Sequence, residues 1–243
     1  MRRVALIPGG ARGIGRALGQ ALAAREWDVA LCYRTSEDDA NVAITAIETA
    51  GGSALALCED VSSPEACAEL LDEVLGWRGR VDALIHCAGP FHRVDILNET
   101  PEGWRTMFAN NLDSLFYLAR LVAPGMIDRR WGRIIGFAMA NADRPMAQTQ
   151  ITAHYLAKIA VLGLVRSLAK ALAPHQITAN SISPGFIDSG SVDLAELGQM
   201  AKTIPAGRIG TVDDVVGAVL YLLSDEARYV NGANINVSGA WGI

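Results

Sequence analysis

Val4-Ala5-Leu6-Ile7 followed by Gly9-Gly10-Ala11-Arg12-Gly13-Ile14-Gly15 is the stretch that decides the fold. The apolar run reads as a strand. The amphipathic residues that follow, Arg16-Ala17-Leu18-Gly19-Gln20-Ala21-Leu22-Ala23, read as a helix. A glycine-rich turn between them brings bare backbone N–H groups and the positive end of a helix to one point, an arrangement suited to a pyrophosphate. Side chains there would hold the backbone away from the phosphate. Taken alone, the same turn also suits a tight strand–helix junction that binds nothing.

The pattern continues outward from this turn. Strand-like runs recur at Val29–Tyr33, Ala54–Cys58, Ala83–Cys87, Ile134–Ala138, Ile177–Ile182 and Asn234–Val237. Helical stretches lie between them, around 13–25, 37–50, 64–77, 101–129, 153–172 and 212–223. Alternating β and α with short loops predicts an α/β fold: one doubly wound Rossmann domain, residues 1–243, with a seven-stranded parallel sheet and helices on both faces. Residues 189–207 break the rhythm. They hold a short helix-like piece, Val192–Lys202, and are expected to cover a bound substrate.

Composition narrows the possible functions. The 243 residues are 51% apolar and 19% charged, so one large core is expected, and no linker, repeat or low-complexity tract divides it. A net charge of −5 argues against general nucleic-acid or anionic-membrane binding. No apolar run approaches the ~20 residues of a membrane span, and Met1-Arg2-Arg3 leads straight into the first strand-like run rather than a secretory leader, so a cytoplasmic chain is expected. Cys32, Cys58, Cys67 and Cys87 form no CxxC pair and read as small core residues, and no metal site is expected.

Further residues carry a resemblance to a known family. Gly9-x-x-x-Gly13-x-Gly15 is followed by Glu59-Asp60-Val61, Cys87-Ala88-Gly89, Asn110-Asn111-Leu112 and Ser183-Pro184-Gly185-Phe186-Ile187. Near the C-terminus stand Gly207-Arg208-Ile209-Gly210, Asp213-Asp214-Val215, Asn231-Gly232 and Val237-Ser238-Gly239. In this order, over essentially the whole length, the chain resembles the short-chain dehydrogenases/reductases, and most of all their 3-oxoacyl-carrier-protein reductase branch. The resemblance implies a nicotinamide cofactor. Gly9, Gly13 and Gly15, with Arg12 and Ile14 in the same turn, would cradle its pyrophosphate. Asp60 and Val61 would hold the adenine. Ala88 and Gly89 would line the adenine-ribose side. Pro184, Gly185, Ile187 and Ser189 would meet the nicotinamide.

Cofactor choice is read after the second strand. An NAD site places an acid there for the ribose 2′-hydroxyl. Here Cys32-Tyr33-Arg34-Thr35-Ser36 offers no carboxylate before Glu37, and Arg34 with Arg12 suits a 2′-phosphate. NADP(H) is therefore expected.

The chain also departs from the family pattern. That pattern needs a serine, a tyrosine four residues before a lysine, and an asparagine. Asn111 and Lys158 match, but His154 stands in the tyrosine slot and Met139 in the serine slot. Tyr155 is adjacent, yet one helical residue turns a side chain by about 100°. His154 and Tyr155 are both candidate proton donors; cationic Lys158 one turn away disfavours an imidazolium, so His154 is expected to be neutral at pH 7. Thr149, Thr152 and Asn141 are candidate replacements for the serine, and the sequence selects none.

Three readings result. The first is an NADP(H)-dependent oxidoreductase that reduces a small-molecule carbonyl, such as a 3-oxoacyl thioester, or oxidises the alcohol. The second is an impaired NADP(H)-binding protein acting as a regulator or partner subunit. The third is a non-redox enzyme reusing the pocket. The resemblance implies a homodimer or homotetramer.

Overall fold

The computed structural model describes residues 2–190 and 194–242, without the side chains of 194–197. The first strand, β1 (Arg3–Pro8), runs into α1 (Gly13–Ala23), β2 (Trp27–Tyr33), α2 (Glu37–Thr49) and β3 (Ala54–Cys58). Next come α3 (Pro64–Arg78), β4 (Ala83–His86), α4 (Pro101–Phe108), α5 (Ser114–Arg129) and β5 (Gly132–Phe137). The chain continues through α6 (Thr152–Leu172), β6 (Ile177–Pro184), β7 (Ile187–Asp188), α7 (Leu194–Ala201), β8 (Gly210–Thr211), α8 (Val212–Leu223) and β9 (Asn234–Val237).

Seven strands form one parallel sheet in the order β3-β2-β1-β4-β5-β6-β9. The fold is the predicted seven-stranded Rossmann type. Strands buried on both faces read as continuous apolar runs rather than alternating ones, which is why β1 and β2 were visible in sequence. One core layer packs α1, α2 and α8 on the sheet through Leu18, Ile47 and Val219. The other packs α3, α5 and α6 through Leu70, Leu118 and Val165. Burying each such side chain contributes roughly 1.5–3 kcal/mol. The strand order reverses between β1 and β4, and a crevice opens there at the carboxyl ends of the strands.

Two predicted elements differ from the structure. The helix expected over 101–129 is α4 and α5 joined by a wide π-type turn, Ala109–Asp113. The side-chain amides of Asn110 and Asn111 donate to the Thr106 and Met107 carbonyls at 3.0 and 2.9 Å, carbonyls that a regular helical ladder would use. The helix expected at Val192–Lys202 is observed as Leu194–Ala201, and Val192 and Asp193 lie outside the described residues. The far end of that segment is fixed to the C-terminal turn, since Ala206 N–H donates to the Gly239 carbonyl at 3.0 Å. Beside it, β7 and β8 make a small parallel pair.

Candidate active site

The crevice is a cavity of about 430 Å³. The glycine turn makes its floor. Gly9 has φ +76°, and a Cβ on it would come within 2.7 Å of the Ala88 nitrogen. A Cβ on Gly15 would overlap the Gly9 carbonyl oxygen and reach 2.9 Å from Gly10 Cα. These are backbone contacts that cannot yield, so both positions require glycine. Arg12 enters α1 in extended conformation and no side chain caps the helix. The first-turn N–H groups of α1 therefore lack a side-chain acceptor and present the positive end of the helix to the cavity. An anionic pyrophosphate fits this cradle.

Most of the expected cofactor residues come together there. Arg12, Gly13, Ile14 and Ser189 line the cavity beside Gly9 and Gly15. Arg34, Asp60 and Val61 line its outer end, and Ala88, Gly89 and Lys158 its inner end. Pro184, Gly185 and Ile187 do not line it. Gly185 N–H donates to the Val237 carbonyl at 3.0 Å, and Ile187 belongs to β7. Sequence reasoning missed Tyr33, Glu59 and Phe137, which also line the cavity. Their places at the ends of β2, β3 and β5 were the available signal.

At the outer end Arg34 Nη1 lies 3.7 Å from Asp60 Oδ2, both half exposed. Partial burial pushes the Asp60 carboxyl up, but hydrogen bonds from Ser62 and the Arg34 charge outweigh it and hold the carboxyl below its ordinary range. Burial pushes the Cys32, Cys67 and Cys87 thiols up to about 12, with nearby Lys158 only partly opposing it at Cys87. They are protonated at neutral pH. Among the described residues no group of three His, Cys, Asp or Glu side chains is placed to hold a metal.

The inner end is built on α6. Lys158 is 7% exposed, and its Nζ donates to the Phe137 carbonyl at 2.9 Å. Burial lowers its pKa from 10.5 to about 8. His154 lies one helical turn earlier on the same face but is not among the residues that line the cavity. Its Nδ1 is 3.2 Å from the Pro90 carbonyl. A carbonyl only accepts, so Nδ1 carries the proton and Nε2 of the neutral ring is an acceptor. Burial first, then the Lys158 charge, push His154 down to about 4. The Phe91 ring packs edge-on against it at 5.1 Å.

Asn111 Nδ2 donates to the same Pro90 carbonyl at 3.1 Å, while its Oδ1 is buried without a partner against Gly89. Beneath them His86 Nε2 lies 2.7 Å from Ser114 Oγ. Ser114 donates onward to the Asn110 carbonyl at 2.8 Å, so the His86 nitrogen is the donor.

Tyr155 corrects an expectation. Its hydroxyl donates to the Asn141 carbonyl at 3.0 Å and accepts from Met146 N–H at 3.2 Å. It is 2% exposed and does not line the cavity, so it is not placed to give a proton there. The 100° offset from His154 sends it into the 141–146 loop instead. Met139 packs against the α3–α5–α6 core. The loops after β4 and β5 are joined, since Val94 and Ile96 N–H donate to the Gln150 and Thr149 carbonyls at 2.9 and 2.8 Å.

Comparisons with known proteins agree with this architecture. A family model described as enoyl-(acyl carrier protein) reductase matches residues 9–241. The chain is 33% identical over 250 residues to a 3-oxoacyl-[acyl-carrier-protein] reductase of Staphylococcus epidermidis, covering 98% of each chain. It is 35% identical over 244 residues to an acetoacetyl-CoA reductase of Shinella zoogloeoides, again covering 98% of each. Among solved structures it superposes on a short-chain dehydrogenase/reductase of Serratia marcescens with TM-score 0.92 and 30% identity, covering 99% of this chain and 98% of that one. An acetoin dehydrogenase of Salmonella typhimurium gives TM-score 0.90 and 28% identity, covering 99% and 96%.

Proposed function

The chain belongs to the short-chain dehydrogenase/reductase family, and from that premise we propose that it is an NADP(H)-dependent carbonyl reductase acting on 3-oxoacyl thioesters or on the corresponding alcohols in reverse. One observation carries the reading: a glycine-floored cavity runs from the uncapped end of α1 to a buried lysine, with Arg34 at its outer end. The reduced cofactor, when bound, supplies a hydride.

The residues of the chain do the rest. The α1 N–H groups hold the pyrophosphate. Arg34 leaves Asp60 for a 2′-phosphate, a doubly charged partner that outcompetes one carboxylate 3.7 Å away. Lys158 keeps one N–H on Phe137 and has two more, so it holds the proton that the reduced oxygen needs. His154, like Tyr155, is not among the residues that line the cavity; it holds the carbonyl of Pro90, which does line it. The described part of the segment, from 194 to 207, is where a cover over the substrate would lie.

The reading is tested by following NADPH and NADH consumption with acetoacetyl-CoA and short diketones. NADPH-linked turnover is the expected result. Its kcat/KM falls above about pH 8 as Lys158 loses its proton, with no inflection between pH 5.5 and 7, because His154 titrates near 4. A rate that climbs as pH falls from 7 to 5.5 would assign the proton to His154 instead. A second reading is favoured by the diverted Tyr155 and the neutral His154: a cofactor-binding partner subunit without turnover. NADPH fluorescence showing tight binding, with no consumption, would establish it.

A further inference from the structure

Four charged side chains line the cavity from the glycine turn to its outer end: Arg12, Arg34, Glu59 and Asp60. Two are cations and two are carboxylates. A 2′-phosphate arriving there is offered no net positive charge by these side chains unless a guanidinium is drawn out of its existing company. Arg34 is the one in such company, with Nη1 3.7 Å from Asp60 Oδ2.

The pair has a fixed partner and a movable one. Asp60 Oδ1 accepts from Ser62 N–H at 3.0 Å, which anchors the carboxylate and leaves Oδ2 for the guanidinium. The main chain on either side is tied between the ends of β2 and β3. Glu59 N–H donates to the Tyr33 carbonyl at 2.9 Å, and Cys58 Sγ donates to the Arg34 carbonyl at 3.3 Å. The Arg34 side chain is half exposed. Its guanidinium can therefore swing while its backbone and the Asp60 carboxylate stay where they are.

The two dinucleotides load this pair differently. A bare 2′-hydroxyl needs no cation, so Arg34 stays on Asp60. A 2′-phosphate takes the guanidinium, a match of planar donors to oxyanion, and Asp60 loses its partner. Only the phosphorylated cofactor gives up the ion pair on binding.

We propose that Asp60 is a specificity-determining residue: by holding Arg34 it handicaps NADP(H) relative to NAD(H) and narrows the preference between them. This rests on the NADP(H) reading above. A contact of Asp60 with the adenine, which the family resemblance implies, is common to both cofactors and cancels from the ratio of their affinities.

The test measures dissociation constants of NADPH and NADH by fluorescence titration of the whole chain, with no substrate present. Asp60→Asn removes the charge and keeps an oxygen for Ser62 N–H. We expect the affinity ratio of NADPH over NADH to rise roughly two- to fivefold, the worth of an exposed ion pair. In an Arg34→Ser background the same substitution should leave the ratio unchanged, because no pair remains to be broken. If Asp60→Asn leaves the ratio of the parent as it was, even with both affinities lowered together, Asp60 serves the two cofactors alike and the inference is overturned while the NADP(H) reading stands. If the ratio rises as much in the Arg34→Ser background, the carboxylate repels the phosphate directly, and the role assigned to the pair falls. If the parent binds neither dinucleotide, the NADP(H) reading fails and takes this inference with it.

Discussion

The two ends of the crevice are made of different material. At the outer end the backbone supplies the cradle: N–H groups at the start of α1 and a floor kept bare by Gly9 and Gly15. At the inner end side chains do the work, held by hydrogen bonds to neighbouring backbone. His154 depends on Pro90, Tyr155 on the Asn141 carbonyl, and Lys158 on Phe137. A cradle made of backbone tolerates little change where a Cβ strikes main chain, as at Gly9 and Gly15. A centre made of side chains can be rebuilt one residue at a time while the fold stays the same.

The largest test of that contrast is Gly15→Val. Its new Cβ overlaps the Gly9 carbonyl, so NADPH binding should fall by more than ~100-fold or the chain should fail to fold. His154→Gln keeps a donor for Pro90 and should leave NADPH affinity unchanged. Equal damage from both substitutions in a fluorescence titration would erase the distinction between the two ends.

Acid comes next in size. Burial holds His86 down to about 3 and His154 to about 4, with Lys158 adding to both. Both are neutral in the fold, while the unfolded chain takes up protons below about pH 6.5. Stability is therefore full above pH 6.5 and falls as pH drops toward 4. The loss is on the order of 3 kcal/mol per histidine across that window. Thermal melts between pH 7 and 4.5 should show it, and His86→Asn, which can still donate to Ser114, should flatten the slope.

Arg34→Ser should reduce the preference for NADPH over NADH by roughly 10–100-fold, the worth of a charge-assisted contact. An unchanged ratio of kcat/KM values would place the 2′-phosphate on Arg12 alone. The smallest effect belongs far from both ends. Thr211 and Asp214 form a capping box at the start of α8, and Thr211→Ala should cost about 1 kcal/mol of stability without altering cofactor preference.

The same contrast explains what was legible in the sequence. Strands buried on both faces announce themselves as apolar runs, and the spacing of Gly9, Gly13 and Gly15 reports a backbone shape. The sheet and the nucleotide cradle could be read that way. The turn at Ala109–Asp113 could not, because it arises when two side-chain amides displace helical N–H groups, and Asn110-Asn111 looks like any polar pair inside a helix. Nor could the sequence show that Asn141, Thr149 and Thr152 all lie outside the lining of the cavity, since that depends on how the 141–152 loop folds. The position of Tyr155 said only that its ring points about 100° away from His154; its partners had to be seen.

The Pro90 carbonyl makes position 154 an exception: there the centre is hard to change one residue at a time. It accepts from both Asn111 and His154, and Phe91 packs against the histidine ring. Installing tyrosine at 154 removes one of those donors and alters the surface against which Phe91 is fitted. The hydroxyl of Tyr155 is meanwhile occupied in holding the 141–146 loop. A single His154→Tyr substitution therefore passes through a less well-bonded intermediate. The contacts are interlocked: placing a tyrosine at 154 without loss requires coordinated changes at Phe91 and in the loop that Tyr155 holds.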